Sequence, residues 1–184
     1  MPFPEEHRYT AEEFLKLTSE NESERYELIN GEVFALAAPS IFHQRLSMRL
    51  SVHVGGYILS KKGKCEPFAA PTDVLLDDSN VVQPDFFVLC DPTKTDKKRC
   101  YGAPDLVIEI SSSDRSLDFT RKLSLYKDSG VREYWIIDPA SEKVLVYSFE
   151  KSMNTVNIYS FYDTVPVGIY GGELSICIDE LIVQ

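Results

Sequence analysis

Hydrophobic residues recur with two different periods along the chain, and each period predicts a different element. The stretch from residue 26 to residue 37 predicts two strands joined at Asn30-Gly31, because a two-residue hairpin turn needs positive φ at both central positions. Between residues 39 and 62 apolar side chains recur every three to four positions, which predicts a long amphipathic helix closed by Gly63. Thr10 and Glu13 have the spacing of a capping box, so a short helix is predicted over residues 11–17.

The middle and the end of the chain predict more strands and one further helix. Segments 73–76, 81–90 and 103–111 are rich in apolar and β-branched residues and are separated by polar turns, as is typical of core strands. Residues 116–130 have helical spacing with a stop at Gly130, and residues 131–138 form the next predicted strand. Residues 143–150, 155–162 and 174–178 predict a β-rich tail. We therefore expect an α/β fold around a mixed sheet whose central strands are covered on both faces.

Composition places this fold in one domain spanning residues 1–184. The hydrophobic fraction of 43% is sufficient for a core, and 19 basic against 29 acidic residues give a net charge of −10. This charge opposes non-specific attraction to nucleic acid or anionic lipid, so any such contact is expected to be local. We expect a cytoplasmic protein, since no run of about 18 apolar residues or secretory leader is found. The four cysteines have neither CxxC nor zinc-site spacing and are expected to be reduced thiols.

Two carboxylates stand in segments whose neighbours require burial. Asp85 lies within VVQPDFFVLC and Glu109 within LVIEIS. A buried carboxylate needs a cation, a metal or several donors. If the two segments are neighbouring strands, both side chains can converge on a site suited to Mg²⁺, the alternative being strand-end acids paired with a lysine or with backbone amides. Asp105 shares the face of Glu109 but is assigned to a turn, and Asp73 is a weaker candidate.

Several ordered motifs together resemble the Uma-two family of restriction-endonuclease-like proteins. They are YELINGEV, a histidine early in the next helix, QPDFFV, PDLVIEISS, DFTRKLSLY and VREYWIID, and they cover about residues 10–139. The resemblance implies the PD-(D/E)xK nuclease superfamily, with a restriction-endonuclease-like mixed β-sheet core flanked by helices. Its sites use an aspartate from one strand, an acid and a lysine from the next, and Mg²⁺.

Carried over by motif, the resemblance implies that Asp85 and Glu109 are metal ligands, together with the main-chain carbonyl of Ile110. The lysine expected two residues after the second acid is absent, because Ser111 stands there. In this family the lysine is thought to have moved to the following helix, which points to Lys122.

The resemblance also marks Glu27 and His43 as residues near the site. Glu27 is expected to hold a second metal or its water shell, and His43 to bond a carboxylate or the phosphate. The alternatives are a packed or surface histidine, and for Lys122 a solvated lysine beside Asp118 at the i, i+4 spacing.

The resulting hypothesis is a Mg²⁺-dependent endonuclease that hydrolyses DNA phosphodiester bonds, with Mn²⁺ as a possible substitute. The alternative is a catalytically inactive module that retains the nuclease fold and binds nucleic acid or protein. A transposon-related or toxin-like enzyme is a weaker third possibility. Two basic loops are candidates for phosphate contacts, and the tail from residue 144 to residue 170 is expected to pair across a two-fold axis in a homodimer. The loops contain Lys61, Lys62 and Lys64, and Lys94, Lys97, Lys98 and Arg99.

Overall fold

The first hundred residues form the predicted helices and hairpin. The structure, a computed structural model, describes residues 7–19, 24–111, 121–150 and 155–182. Helix α1 (Ala11–Ser19) begins at the capping box, in which the Glu13 amide donates to Thr10 Oγ1 and the Thr10 amide donates to Glu13 Oε2. Helix α2 (Ile41–Ser60) is capped by Ser40, whose side chain accepts the amide of His43.

Each predicted strand segment contains a strand, one segment is divided in two, and the strands at residues 66–69, 100–101 and 165–166 were not predicted. In chain order they are β1 (Tyr26–Ile29), β2 (Glu32–Ala35), β3 (Glu66–Ala69), β4 (Val74–Asp77), β5 (Asn80–Val82), β6 (Phe86–Leu89), β7 (Cys100–Tyr101), β8 (Leu106–Ile110), β9 (Glu133–Asp138), β10 (Lys143–Ser148), β11 (Thr155–Ser160), β12 (Val165–Pro166) and β13 (Ser175–Ile176). The turn between β1 and β2 has φ of 52° at Asn30 and 76° at Gly31, as the hairpin prediction requires. Of the helix predicted over residues 116–130, residues 116–120 lie outside the described residues, and helix α3 (Leu123–Ser129) ends at Gly130. Helix α4 (Ile178–Ile182) is the last described element.

Residues 81–90 were expected to form one strand, and the structure corrects this. Pro84 separates β5 from β6, which belong to different sheets. Proline has no amide hydrogen to donate to a ladder, so a strand is readily interrupted at that position. The break places Asp85 at the beginning of a new strand instead of its middle.

Two larger sheets and one small pair make up the β structure of the described residues. The five-stranded sheet has the order β2-β1-β5-β4-β7, the six-stranded sheet has the order β11-β10-β9-β8-β6-β3, and β12 pairs with β13. In the six-stranded sheet β8 and β9 are parallel, whereas β6 and β8 are antiparallel. The α/β class with a mixed sheet is thereby confirmed, while the separate five-stranded sheet was not anticipated.

The six-stranded sheet is covered on both faces, as expected of its central strands. Alternate residues of β8 face two different cores. Ile108 packs in the core that contains Leu50 of α2, and Val107 packs in the core that contains Tyr126 of α3. Glu109 therefore lies on the α3 side of the sheet, because side chains alternate along a strand. None of the described helices has the length and apolar character needed to cross a membrane.

The expectation of reduced thiols is wrong for one pair. Cys65 and Cys90 form a disulfide, because they flank the register position at which Glu66 of β3 faces Leu89 of β6. Cys100 and Cys177 are free thiols. Sequence spacing gave no sign of this pair, whose members are 25 residues apart and become neighbours only when the two strands align.

Reduction of this disulfide is expected to lower the free energy of unfolding by about 3 kcal/mol, since the cross-link closes a loop of some tens of residues in the unfolded chain. Urea denaturation with and without dithiothreitol measures the change. Cys177→Ser is the control and should respond to dithiothreitol as the wild type does. Four reactive thiols in urea without reductant would contradict the assignment.

Candidate active site

Asp85 and Glu109 meet on one face of the six-stranded sheet. Phe86 of β6 faces Ile108 of β8, so the residue before Phe86 and the residue after Ile108 are the next pair along the ladder. The Asp85 amide lies 3.4 Å from Glu109 Oε2, and the Ile110 amide donates to Asp85 Oδ2 at 2.7 Å. The two acids therefore converge as the alternation of β8 predicted.

Lys122 lies between two buried carboxylates. It immediately precedes α3, and its Nζ is 2.9 Å from Glu109 Oε1 and 3.0 Å from Glu27 Oε1. Lys122 is only 4% exposed and Glu27 is fully buried. This burial excludes the alternative of a solvated lysine. Because an uncompensated charge in the interior is costly, each of these three buried charges also needs an opposite charge beside it.

Glu27 reaches this ion pair from the other sheet. It lies on β1, and its Oε1 also accepts the amide of Gln83, the residue between β5 and Pro84. Its second oxygen, Oε2, is buried and has no hydrogen-bond partner among the described residues. The chain at the Pro84 break thus contacts β1 of the five-stranded sheet directly beside the site.

Tyr126 is a further site residue, which the sequence motifs did not single out. Its hydroxyl donates to Glu109 Oε1 at 2.7 Å from a fully buried position. Burial, together with the carboxylates of Glu109 and Glu27, raises the pKa of Tyr126 well above its ordinary value, so the hydroxyl remains a donor. The available signal was helical spacing, because Tyr126 follows Lys122 by four residues and so lies on the same side of α3.

His43, in the first turn of α2, completes the group. Its Nε2 lies 2.8 Å from Asp85 Oδ1, so Asp85 is held by a histidine on one oxygen and by the Ile110 amide on the other. Ser47, one turn further along α2, donates to the Asp85 carbonyl. Of the two uses expected for His43, the bond to a carboxylate is the one observed. We refer to Glu27, His43, Asp85, Glu109, Lys122 and Tyr126 as the acidic centre.

A cavity of about 600 Å³ opens onto the acidic centre. Asp85, Glu109, Ile110 and Lys122 line it, and so does Ser111, which stands two residues after Glu109 in place of the lysine of the superfamily motif. The polar lining residues that the sequence did not single out are Arg25, Ser40, Gln83 and Asp138.

Two acids that were ranked lower lie in other contacts. Asp105 accepts the amide of Cys90 and pairs with Arg132, which agrees with its assignment to a turn. Asp73 accepts the side-chain amide of Gln83, one residue removed from the cavity.

The two basic loops lie at the far end of the sheet from the acidic centre. Both adjoin the Leu89 end of β6, since residues 61–64 precede β3 at its Glu66–Leu89 pair and residues 91–99 follow β6. Asp85 is at the opposite end of the same strand. Lys61 is paired with Glu173, and Lys94 donates to a main-chain carbonyl. Neither loop lines the cavity as the structure describes it.

The fold and the site together define an α/β protein of the restriction-endonuclease-like class. Its two acids and its lysine meet where β6 begins and β8 ends. The chain belongs to the Uma2 (Uma-two) family, whose model is described as "Putative restriction endonuclease" and matches residues 11–172. The resemblance recognised in the sequence is thereby confirmed.

Two relatives extend this comparison. The chain is 28% identical over 153 residues to an uncharacterised protein of Synechocystis sp., a match covering 79% of this chain and 75% of the relative. Its fold is similar, with a TM-score of 0.75 and 23% identity, to the crystal structure of an Anabaena variabilis protein described as a putative nuclease belonging to DUF820. That match covers 94% of this chain and 97% of the other.

Proposed function

We propose that the protein is a metal-dependent endonuclease that hydrolyses DNA phosphodiester bonds by a PD-(D/E)xK-type mechanism with a displaced lysine. One observation carries the proposal: Asp85, Glu109 and Lys122, which are distant in the sequence, meet in the lining of one cavity. The family assignment supports nuclease activity in general. The metal, the mechanism and DNA as the substrate are part of this proposal.

The residues of the acidic centre fit a Mg²⁺ ion. Among the described residues, no three His, Cys, Asp or Glu side chains are grouped to hold a metal by themselves. Mg²⁺ does not need such a group, since it is commonly bound through one or two carboxylates and keeps several waters. Asp85 and Glu109 supply hard oxygen donors of that kind beside a cavity with room for water, and Ile110 lies next to them. Asp85, Glu109 and the Ile110 carbonyl would hold Mg²⁺, or Mn²⁺ in its place.

When bound, the ion would polarise the phosphate and acidify a water. The protein's own residues supply the rest. Lys122 places a fixed positive charge beside Glu109, where it can offset negative charge that develops on the phosphate. His43 and the Ile110 amide fix both oxygens of Asp85, and Tyr126 fixes one oxygen of Glu109. Glu27 holds Lys122 in place from the second sheet.

Incubation of the purified protein with labelled DNA tests the proposal. We expect strand cleavage with Mg²⁺ or Mn²⁺ and none with EDTA. A preparation that cuts no DNA in single-stranded, duplex or supercoiled form under either metal would overturn the enzymatic proposal.

The alternative function, an inactive module with the same fold, differs in a measurable way. Isothermal titration calorimetry with Mg²⁺ should give binding that disappears in Glu109→Gln if the centre is a metal site. Binding without any turnover on DNA would favour a metal-binding module. The absence of both would favour a module that uses the fold alone.

We also propose a homodimer through the β-rich tail. Strand β11 is the outer strand of the six-stranded sheet, and Ile158 on it is 64% exposed. An exposed edge strand with apolar side chains can add a second copy of itself across a two-fold axis.

The Ile158→Lys variant is expected to sediment as a monomer at concentrations at which the wild type is dimeric, because charge on an edge strand opposes pairing. Analytical ultracentrifugation measures this. Leu59→Lys is the control, since Leu59 is 80% exposed but lies on α2, and it should leave the dimer intact. A monomeric wild type, or a dimer lost only in the control, would contradict the tail interface.

A further inference from the structure

The cavity has two chemically different parts. One part is lined by four residues of the acidic centre, His43, Asp85, Glu109 and Lys122. The other part consists of walls that are largely apolar and come from the chain after β2, the first turn of α2 and the turn after β9. We call these walls the apolar arm, and they comprise Leu36, Ala37, Ala38, Pro39, Phe42 and Pro139.

Phe42 is the one Phe, Tyr or Trp side chain among the described residues that line the cavity. It is partly buried and packs against the core beneath α2, so its position is fixed by the helix. It directly precedes His43, which bonds Asp85. A flat apolar side chain is thus held next to the proposed phosphate site.

The outside of a nucleic-acid duplex offers no base face that could pack against such a wall. In a duplex the base faces are stacked inside and the exterior is phosphate and sugar. Proteins bury base faces against aromatic side chains where the bases are unpaired, in single strands, loops or flipped nucleotides. A cavity of about 600 Å³ is also of the size that encloses a small ligand. The apolar arm therefore suits an unpaired nucleotide.

The distribution of positive charge favours the same substrate. Affinity for a duplex comes mainly from many Lys and Arg contacts to phosphates. Among the described lining residues the permanent cations are Arg25 and Lys122. Lys122 is engaged by two carboxylates, Arg25 donates to the carbonyl of Ala37, and both basic loops adjoin the opposite end of β6. Among the described residues, the cavity lining therefore offers few cations for contacts to a duplex backbone, and the net charge of −10 opposes non-specific attraction to one.

We propose that the site binds an unpaired nucleotide, with its base against Phe42 in the apolar arm and its phosphate at the acidic centre. The proposed nuclease would then act on single-stranded DNA and on unpaired regions in preference to duplex. This inference rests on the proposed function for its cleavage part. Its binding part stands on the cavity alone.

Binding is tested without metal. Fluorescence anisotropy of a labelled single-stranded oligodeoxynucleotide in EDTA is compared with the same sequence as a blunt duplex. The wild type should bind the single strand at least ten-fold more tightly. Phe42→Ala should lose about ten-fold in single-strand affinity, because base–aromatic stacking is lost, whereas Phe42→Tyr should retain it. Phe149→Ala, which removes a partly buried aromatic of the other core, is the control for altered packing.

Cleavage is tested with Mn²⁺ on a single strand, a duplex and a duplex with an internal mismatched bubble, with single-stranded RNA as a fourth substrate. We expect cuts in the single strand and within the bubble. Preferential cutting of RNA would support an unpaired nucleotide while contradicting DNA as the substrate. Duplex cut or bound as well as single strand, or Phe42→Ala binding as the wild type, would overturn the inference and leave the nuclease proposal intact. Single-strand binding that depends on Phe42 without cleavage of any substrate would instead overturn the nuclease proposal alone.

Discussion

Replacing Lys122 by Met is expected to lower the free energy of unfolding by about 3–5 kcal/mol, the range found when one partner of a buried ion pair is removed. Methionine keeps most of the length of the lysine stem but removes the charge, so Glu27 and Glu109 would face each other in the interior without the cation between them. Urea denaturation followed by circular dichroism measures the loss. Cleavage should also disappear, under conditions in which the variant is still folded.

Two companions make this prediction specific. Lys94→Met removes an amine that donates to one main-chain carbonyl, and it should cost about 1 kcal/mol or less. Adding Glu27→Gln to Lys122→Met should restore part of the lost stability. In the double variant only one buried carboxylate, that of Glu109, is left without the cation, whereas Lys122→Met alone leaves two. A midpoint of urea unfolding for Lys122→Met that equals the midpoint of the wild type would contradict the buried ion pair.

The convergence of the two acids could be predicted on the condition that their segments are neighbouring strands. Strand alternation places Glu109 on the face of Val107, and the antiparallel order of β6 and β8 brings Asp85 beside it. The hairpin at Asn30-Gly31 and the capping box at Thr10 are local, and each forms as predicted.

Contacts between distant segments could not be read in this way. Nothing in the spacing of residues 27 and 122 indicates that the Glu27 side chain of β1 reaches Lys122, because that contact joins the five-stranded sheet to the residue before α3. The family resemblance, and not the pattern, placed Glu27 near the site. The disulfide is a similar case, since its cysteines meet only through the register of β3 with β6.

Tyr126 was missed for a different reason. It lies among apolar residues with helical spacing, a pattern typical of a buried position, and it is fully buried in the core. A tyrosine carries a hydroxyl that must find a partner when it is buried, however, and that requirement pointed to a polar group in the core. Together with the spacing from Lys122, it was sufficient to place Tyr126 beside Glu109.

Asp85→Asn is expected to abolish cleavage, with a loss on the order of a thousand-fold or more, since the polarising effect of a bound metal is worth several kcal/mol in the transition state. Asparagine keeps one acceptor oxygen and the side-chain volume, so it removes the charge that Mg²⁺ needs while disturbing the packing little. Stability should fall by no more than about 1–2 kcal/mol, because one of the two donors to Asp85, His43 Nε2 or the Ile110 amide, can still be accepted. Single-turnover cleavage with saturating Mn²⁺ measures the rate, and calorimetry measures the accompanying loss of metal binding.

Asp105→Asn is the matched control. The Asp105 side chain is 17% exposed, against 18% for Asp85, and it is also held by a main-chain amide and a cationic side chain. It lies, however, at the other end of β8 from the acidic centre. Cleavage by Asp85→Asn at the rate of the Asp105→Asn control would show that the hydrolysis takes place elsewhere on the protein.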